Sequence, residues 1–360
     1  MEPCSDSDQS PQWLASSELA QWDAFVDACA EGNPYSKSFW LKAFAETVPN
    51  ASFRILVVRA KDGSIAAGVA LCIDKNKARQ TRVLHSFSQY STFLFAPSQT
   101  ADKDRSTRRK MEMATAIAQT LETAGFESIT LSHHPSMPDV RALMWRNWVV
   151  SPEYTFLVDL NSHGGLPSFA HAQRNKINKG LRAGLLFRSH NSLEHLEERI
   201  VSILAKTFVR QQIDTTRLDP CIGGLEGYRR FLKAIKPKGT IRIYEAVHPD
   251  GTTTAMRVGL NGPNNTYYDW LAGNDPQYNS IGASSFLISN ILTSLKAEGI
   301  SRFDFGGANT PTIAAFKQAF NGDLICGFRT YWQSSRIVHR GTRLAGKLSW
   351  FLRKKFQAHL

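Results

Sequence analysis

Residues Thr266 to Phe320 read TYYDWLAGNDPQYNSIGASSFLISNILTSLKAEGISRFDFGGANTPTIAAFKQAF, and the changes of period along them decide the fold. Thr266 to Leu271 is an aromatic-rich strand and Ala272 to Ile281 is rich in turn residues. From Gly282 onward Phe286, Ile288, Ile291, Leu292 and Leu295 fall near helical spacing. Gly299 sits where a helix ends in the left-handed conformation, and Arg302 to Phe305 forms the next strand. The order is strand, small-residue loop, helix, strand. A helix start of this kind offers unpaired backbone N–H groups and a positive dipole end, which suit a phosphate or pyrophosphate.

Outward from this stretch, the chain contains itself twice. FRILVVRAKDG (Phe53 to Gly63) aligns without gaps to IRIYEAVHPDG (Ile241 to Gly251), at an offset of 188. Each is a strand ending in an Asp-Gly hairpin turn, followed by a second strand, Ile65 to Ile73 and Thr252 to Leu260. Upstream, WLKAFAETV from Trp40 faces YRRFLKAIK from Tyr228. Downstream, the helix closing at Gly125 with strand Ser128 to Leu131 faces the helix closing at Gly299 with strand Arg302 to Phe305, at an offset of 174. The first copy thus holds 14 extra residues, expected in the loop Ser98 to Arg108. Each copy reads helix, helix, hairpin, strand, helix, strand. The second adds a helix, Thr312 to Ala319, and a strand, Leu324 to Trp332. The fold class is α/β, a mixed sheet with flanking helices. The expected divisions are a flexible start (1–18), a first domain (19–161), a second domain (162–333) joined near Ser162, and a basic tail (334–360).

The 360-residue chain is 42% hydrophobic, 21% charged and 11% aromatic, an ordinary globular composition. It contains no run approaching the roughly 18 apolar residues of a spanning helix. MEPCSDSDQSPQW lacks the basic and apolar regions of a secretory signal, so a cytoplasmic location is expected. Cys4, Cys29, Cys72, Cys221 and Cys326 are scattered without a C-x-x-C pair, which argues against a disulfide framework or a zinc site. His133-His134 lack the companion residues of a zinc motif, and no metal is expected. Against 31 acids stand 43 Lys and Arg, a formal charge of +12, which favours anionic partners. Basic residues gather at Lys103 to Lys110, at Arg174 to Arg188 and in the final 21 residues. There, six cations and no acid are interleaved with Leu344, Leu348, Phe351, Leu352 and Phe356. That last segment reads as a basic amphipathic helix suited to an anionic membrane surface.

In combination, YYDWLAGND, the Gly-terminated helix, FDFGG and AAFKQAFNG resemble the recurring phrases of FemAB-like proteins, the tandem branch of the GNAT acetyltransferases. The resemblance covers about residues 20 to 333 and implies two tandem GNAT-like domains arising by duplication, with the chemistry in the second. It implies acyl transfer to an amine, with acyl-CoA as co-substrate. The family loop reads Gln or Arg, two residues, Gly, one residue, then Gly or Ala. Here four residues separate Gln277 from Gly282-Ala283. The cofactor-binding candidates are Gln277, Ile281, Gly282, Ala283 and Ser284.

Acyl transfer to nitrogen requires a deprotonated amine, a nearby donor carbonyl and a positive or hydrogen-bonding group at the developing oxyanion. Without a G-x-S-x-G motif or a thiol signature, direct attack by the amine is the economical route. Lys317 follows a strand end near the start of a helix, and the resemblance places the lysine of Phe316-Lys317 at the active site as oxyanion stabiliser. Asp304, between Phe303 and Phe305, either accepts a proton from the amine, caps Gly306-Gly307 or pairs with an Arg. Asp269 and Trp270 point to opposite sheet faces, so only one faces a cleft, and Asp269 is the expected catalytic, acceptor-binding group of the two. Substrate-binding candidates are Tyr268, Trp270, Asn274 and Phe316, with Arg174 and Asn178 on one face of a basic helix beside Lys179 and Arg182.

The leading expectation is an N-acyltransferase acting on an amine-bearing small molecule or on a lipid-linked or saccharide acceptor of the cell envelope. Peripheral contact with the membrane is expected through the C-terminal helix. Two alternatives stand beside it: an aminoacyl-tRNA-dependent transferase of peptidoglycan precursors, and a noncatalytic binding protein of an envelope polysaccharide system.

Overall fold

The two Asp-Gly hairpins close with the same hydrogen bonds, displaced by 188 residues. In the first, Ala60 N donates to Ser64 O (2.8 Å) and Gly63 N to Ala60 O (3.0 Å). In the second, His248 N donates to Thr252 O and Gly251 N to His248 O, both at 2.8 Å. Asp62 and Asp250 each accept from the amide two residues on, and Gly63 and Gly251 both adopt positive φ, +81° and +90°. The expected duplication is therefore built into the backbone. The computed structural model describes residues 10–75, 81–84, 87–98, 100–161, 169–210, 223–235 and 240–334. The expected junction at Ser162 and the expected helix within Arg340 to Leu360 lie outside them.

In chain order the elements begin with β1 (Gln12–Trp13), α1 (Leu19–Ala28), α2 (Ser38–Thr47), β2 (Ala51–Arg59), β3 (Ile65–Lys75), β4 (Thr81–Leu84) and β5 (Phe93–Phe95). There follow α3 (Lys103–Thr123), β6 (Ser128–His133), α4 (Arg141–Met144) and β7 (Val149–Asp159). The second half contains α5 (His171–Arg182), β8 (Leu186–His190), α6 (Glu197–Arg210), α7 (Gly224–Ala234), β9 (Ile241–Val247), β10 (Thr253–Gly262) and β11 (Thr266–Asn274). It ends with α8 (Ala283–Ala297), β12 (Arg302–Gly307), α9 (Pro311–Gln318) and β13 (Asp323–Gln333). The chain divides into two units. Among the described residues, one holds those up to Ala45, those from Pro49 to Pro152 and those from Gly327 to Ser334, and the other holds Glu46–Val48 and those from Glu153 to Cys326.

In the first unit the hairpin β2–β3 pairs antiparallel, β3 continues to β4, and β4 runs parallel to β6. Strand β13 returns to this sheet, where Phe328 to Gln333 pair antiparallel with β6. Helix α3 covers the sheet with Met113, Ala114, Ile117, Ala118 and Leu121, the apolar stripe of an otherwise charged helix. The extra length of this copy is not a single loop at Ser98 to Arg108. Lys103 to Arg108 are already helical, because Asp102 caps the start of α3 through Arg105 N (3.1 Å). The insertion is taken up by the segment carrying β5 and by a helix of 21 residues against 15 in α8.

The second unit repeats the plan, preceded by α5 and β8. Its sheet runs from β8 through β9, β10, β11 and β12 to β7. Only the β11–β12 pair is parallel, as expected where the helix α8 makes the crossover. The offset of 174 holds here too, since β6 and β12 begin and end at corresponding residues and Gly125 (φ +84°) matches Gly299 (φ +79°). Leu287, Ile288, Ile291, Leu292 and Leu295 of α8 bury against Tyr267, Phe303 and Phe305 of the sheet. Tyr267 and Phe303, partners in the parallel register, stack with centroids 5.3 Å apart.

Candidate active site

The parallel pairing of β11 and β12 stops early. It joins Thr266, Tyr267 and Tyr268 to Arg302, Phe303 and Asp304 and goes no further. Beyond it β11 continues to Asn274, still paired with β10 on its other edge as far as Asn274 opposite Ala255. From Leu271 to Gly273 the β12 side of β11 has no strand partner among the described residues, and at Asn274 the backbone meets α6 instead, its N–H donating to Thr207 Oγ1. Such an edge presents backbone N–H and C=O groups that require partners. The opening lies at the carboxyl ends of two parallel strands, the end from which α8 also starts. In α/β sheets this is the end at which ligands bind.

Buried charge gathers at this parting. Asp304, fully buried, accepts from Gly306 N (2.8 Å), so of the roles open to it the cap of Gly306 is realised. Thr155 Oγ1 of β7 lies 2.6 Å from Asp304 Oδ1 and 2.9 Å from Gly306 O, and its single proton serves one of them at a time. Gly306 has φ +68°, a conformation that only glycine adopts readily, and the β12–β7 register shifts at this point. Lys317 stands over the turn. Its Nζ donates to the carbonyls of Phe305 (2.7 Å), Gly306 (3.2 Å) and Gly307 (2.7 Å), which engages all three ammonium protons. The residue is in the last turn of α9, not near its start as the sequence suggested. A cation is favourable there, at the negative end of the helix dipole.

Asp269 forms a buried ion pair with Arg257 of β10, the two being 4% and 6% exposed. Burial pushes the Asp269 carboxyl above its ordinary range. Arg257 and Lys317 oppose that rise and Asp304 adds to it. Burial likewise brings the Lys317 ammonium down to about 8; Asp269 and Asp304 hold it up, and Arg257 pushes it down. The Lys317 side chain is half-buried along its length, so the shift belongs to the ammonium among the carbonyls rather than to the whole residue. Tyr268, also buried, has its phenol raised by desolvation and then by Asp304. Lys317, Asp304, Asp269 and Tyr268 are thus brought together.

The loop candidates are arranged differently. Gln277 is exposed in a short 3₁₀ turn, Pro276–Ile281, capped by Asp275 through Gln277 N (3.1 Å). Gly282 has φ +76°, and a Cβ there would stand 2.2 Å from Lys176 O of α5. The lack of a side chain at Gly282 is therefore required by the turn and by helix packing. Ala283 is buried, Ser284 and Ile281 are half-buried, and Ser285 accepts from Gln173 Nε2 of α5 (2.8 Å). The first-turn amides of α8 remain available for an anion, as at any helix start.

Trp270 turns away from Asp269 and packs on Phe231 of α7 (5.8 Å). Asn274 is buried, its amide bonded to Thr207 Oγ1 (2.9 Å) and its side chain to Asn279. Phe316 packs edge-on against Phe320 (5.4 Å). Arg174 and Asn178 are exposed on α5, where Arg174 Nη1 donates to Phe169 O (2.6 Å). Two members of the cluster were missed from sequence, Arg257 and Thr155. Arg257 had a visible signal, a lone charge inside the apolar run of β10. Thr155 had none, being a strand threonine 149 residues from the carboxylate it touches. Among the described residues, no group of His, Cys, Asp and Glu could hold a metal ion, and no helix is long and apolar enough to cross a membrane.

Comparison with known proteins sets this geometry among others. Residues 168–318 match the family model described as an acetyltransferase (GNAT) domain. No curated protein sequence matches the chain. Among solved structures, FemX aligns over 91% of this chain and 99% of its own with a TM-score of 0.66, at 11% identity. A tandem GNAT protein from the clavulanic acid biosynthesis pathway aligns over 90% of this chain and 98% of its own, at 13% identity and a TM-score of 0.51. L-PGS from Bacillus licheniformis aligns over 93% and 96%, at 14% identity and a TM-score of 0.50. At these identities the likeness is one of fold.

Proposed function

We propose that this chain is a FemAB-like GNAT acyltransferase, its second unit carrying the region that matches the acetyltransferase (GNAT) model, and that it moves an acyl group from an acyl-CoA to an amine of a cell-envelope or polysaccharide precursor. The observation that carries this reading is the parting of β11 and β12 beside Lys317, Asp269 and Asp304. An extended, amide-bearing donor arm would lie along β11 at Leu271 to Gly273, beyond the point where β12 leaves it. The thioester carbonyl would then lie within the field of the Lys317 ammonium. A neutral amine attacks that carbonyl, the N–C bond forms, the C–S bond breaks, and the amine proton passes to a base or to the departing thiolate.

Three carbonyls hold the Lys317 ammonium in place, so its charge is positioned before any substrate arrives, as electrostatic stabilisation of an oxyanion requires. Asp269, paired with Arg257, balances that charge. Asp304 keeps the Gly306 turn in the shape that lets the strands part. The first-turn amides of α8 and the Gln277 to Ser284 loop would receive the diphosphate of the donor. Peripheral membrane contact by the Arg340 to Leu360 segment would bring the enzyme to a lipid-linked acceptor.

The test is thiol release from acyl-CoA by the full chain across a panel of amines, with aminoacyl-tRNA as the rival donor. Amine-dependent thiol release, reduced in Lys317→Met, supports the reading. Acyl transfer from aminoacyl-tRNA with no coenzyme A binding overturns the donor, and turnover unaltered in Lys317→Met overturns the mechanism.

A further inference from the structure

Helix α5 buries one side and leaves the other without acidic neighbours. Gln173 and Gly180 face α8, where a Cβ on Gly180 would come within 2.7 Å of Phe286 Cβ. At about 100° per residue, Arg174, Asn178, Lys179, Leu181 and Arg182 fall on the outward arc, while Lys176 projects nearer the side of Gln173 and Gly180. All six are exposed, Leu181 to 58%. Between Asp159 and Glu194 the chain has no acid. The ion pairs formed among the described residues involve other cations, so Arg174, Lys176, Lys179 and Arg182 have no carboxylate within 4.0 Å. The basic block on α3 is different. There Arg108 pairs with Asp104 and Lys110 with Glu31, so part of its charge is balanced internally.

We propose that the outward face of α5 is a docking surface for an anionic phospholipid bilayer. Three unbalanced cations on this arc, Arg174, Lys179 and Arg182, with the exposed Lys176 beside it, complement the negative potential of such a surface, and each strengthens binding by about fivefold. The exposed Leu181 on the same arc supplies the apolar residue that an interfacial helix sinks between headgroups. The helix carries no Phe, Tyr or Trp on which a nucleic-acid base would stack, which favours lipid over RNA. The test of this surface needs no turnover.

The test is co-sedimentation of the full chain with vesicles of 70% phosphatidylcholine and 30% phosphatidylglycerol, against pure phosphatidylcholine, at two salt concentrations. The wild-type chain is expected to bind the anionic vesicles, less so at high salt. Lys176→Gln/Lys179→Gln/Arg182→Gln should lower the partition coefficient by about 100-fold, with its thermal unfolding unchanged. The charge-preserving Lys176→Arg/Lys179→Arg/Arg182→Lys should bind as the wild type does, whether or not the neutral variant folds. Equal binding by the neutral, folded variant overturns the proposal, as does indifference of the wild type to lipid charge. A loss of tRNA affinity in the neutral variant with vesicle binding intact overturns it in favour of nucleic acid.

Discussion

Arg257→Met removes the guanidinium that pairs with the buried Asp269 carboxylate, and the consequence can be worked through. Both side chains are nearly inaccessible, so water cannot replace the lost guanidinium, and Asp304 is close enough to raise the Asp269 carboxyl further. Stranding one member of a buried ion pair costs about 3–5 kcal/mol. For a unit of this size that corresponds to a fall in melting temperature of roughly 6–20 °C. Removing both charges, in Arg257→Met/Asp269→Leu, should recover most of the loss, because a buried pair is seldom more stable than an apolar replacement. The pH dependence has a definite sign. With the folded carboxyl raised above its unfolded value, the single variant is penalised least at low pH, and its stability falls as pH climbs through that raised value. Thermal unfolding of the wild type, both single variants and the double variant at pH 5 and pH 7 measures all of this. The amine-dependent turnover of the double variant then separates Asp269 as a structural counter-ion from Asp269 as a participant. A loss below about 1 kcal/mol in Arg257→Met, or a double variant no more stable than the single, would refute the reasoning.

Further outcomes follow from the same geometry. Lys317→Met should lower turnover, since it removes the positive charge held over the Phe305 to Gly307 turn, and a steady-state assay with the full chain reads the loss. The wild-type rate should fall above pH about 8 as the ammonium loses its proton, a limb absent from Lys317→Arg. Because the folded value lies below the ordinary 10.5, the contribution of Lys317 to stability should rise between pH about 8 and 10.5, which calorimetry across that range will read. Gly282→Ala places a Cβ against Lys176 O at a positive φ and should cost roughly 2–5 kcal/mol in urea denaturation. Thr155→Val should cost about 1–3 kcal/mol by depriving Asp304 of a donor, while Thr155→Ser should restore most of it.

The duplication was legible because Asp-Gly turns and helix-ending glycines are local devices. Their residues dictate a backbone conformation wherever they stand, and so they survive divergence of the strands around them. The strand–helix–strand unit from Thr266 to Phe305 was legible for the same reason, through the shift from strand to helical period. The charge cluster was only half visible. Lys317, Asp304 and Asp269 lie in the stretch that drew attention, but Arg257 and Thr155 reach them across the sheet, where the register between strands sets the contacts. Gly282 illustrates a converse difficulty. A glycine before a helix suggests a phosphate loop, yet here a neighbouring helix approaches it closely, and only coordinates distinguish the two reasons.

The account rests on an acyl donor lying along the open edge of β11, and hydrogen–deuterium exchange with and without acyl-CoA tests that directly. Protection concentrated in the peptides spanning Asp269 to Asn274 and at the start of α8 is the predicted result. With the donor demonstrably bound, unchanged exchange across both segments would contradict it.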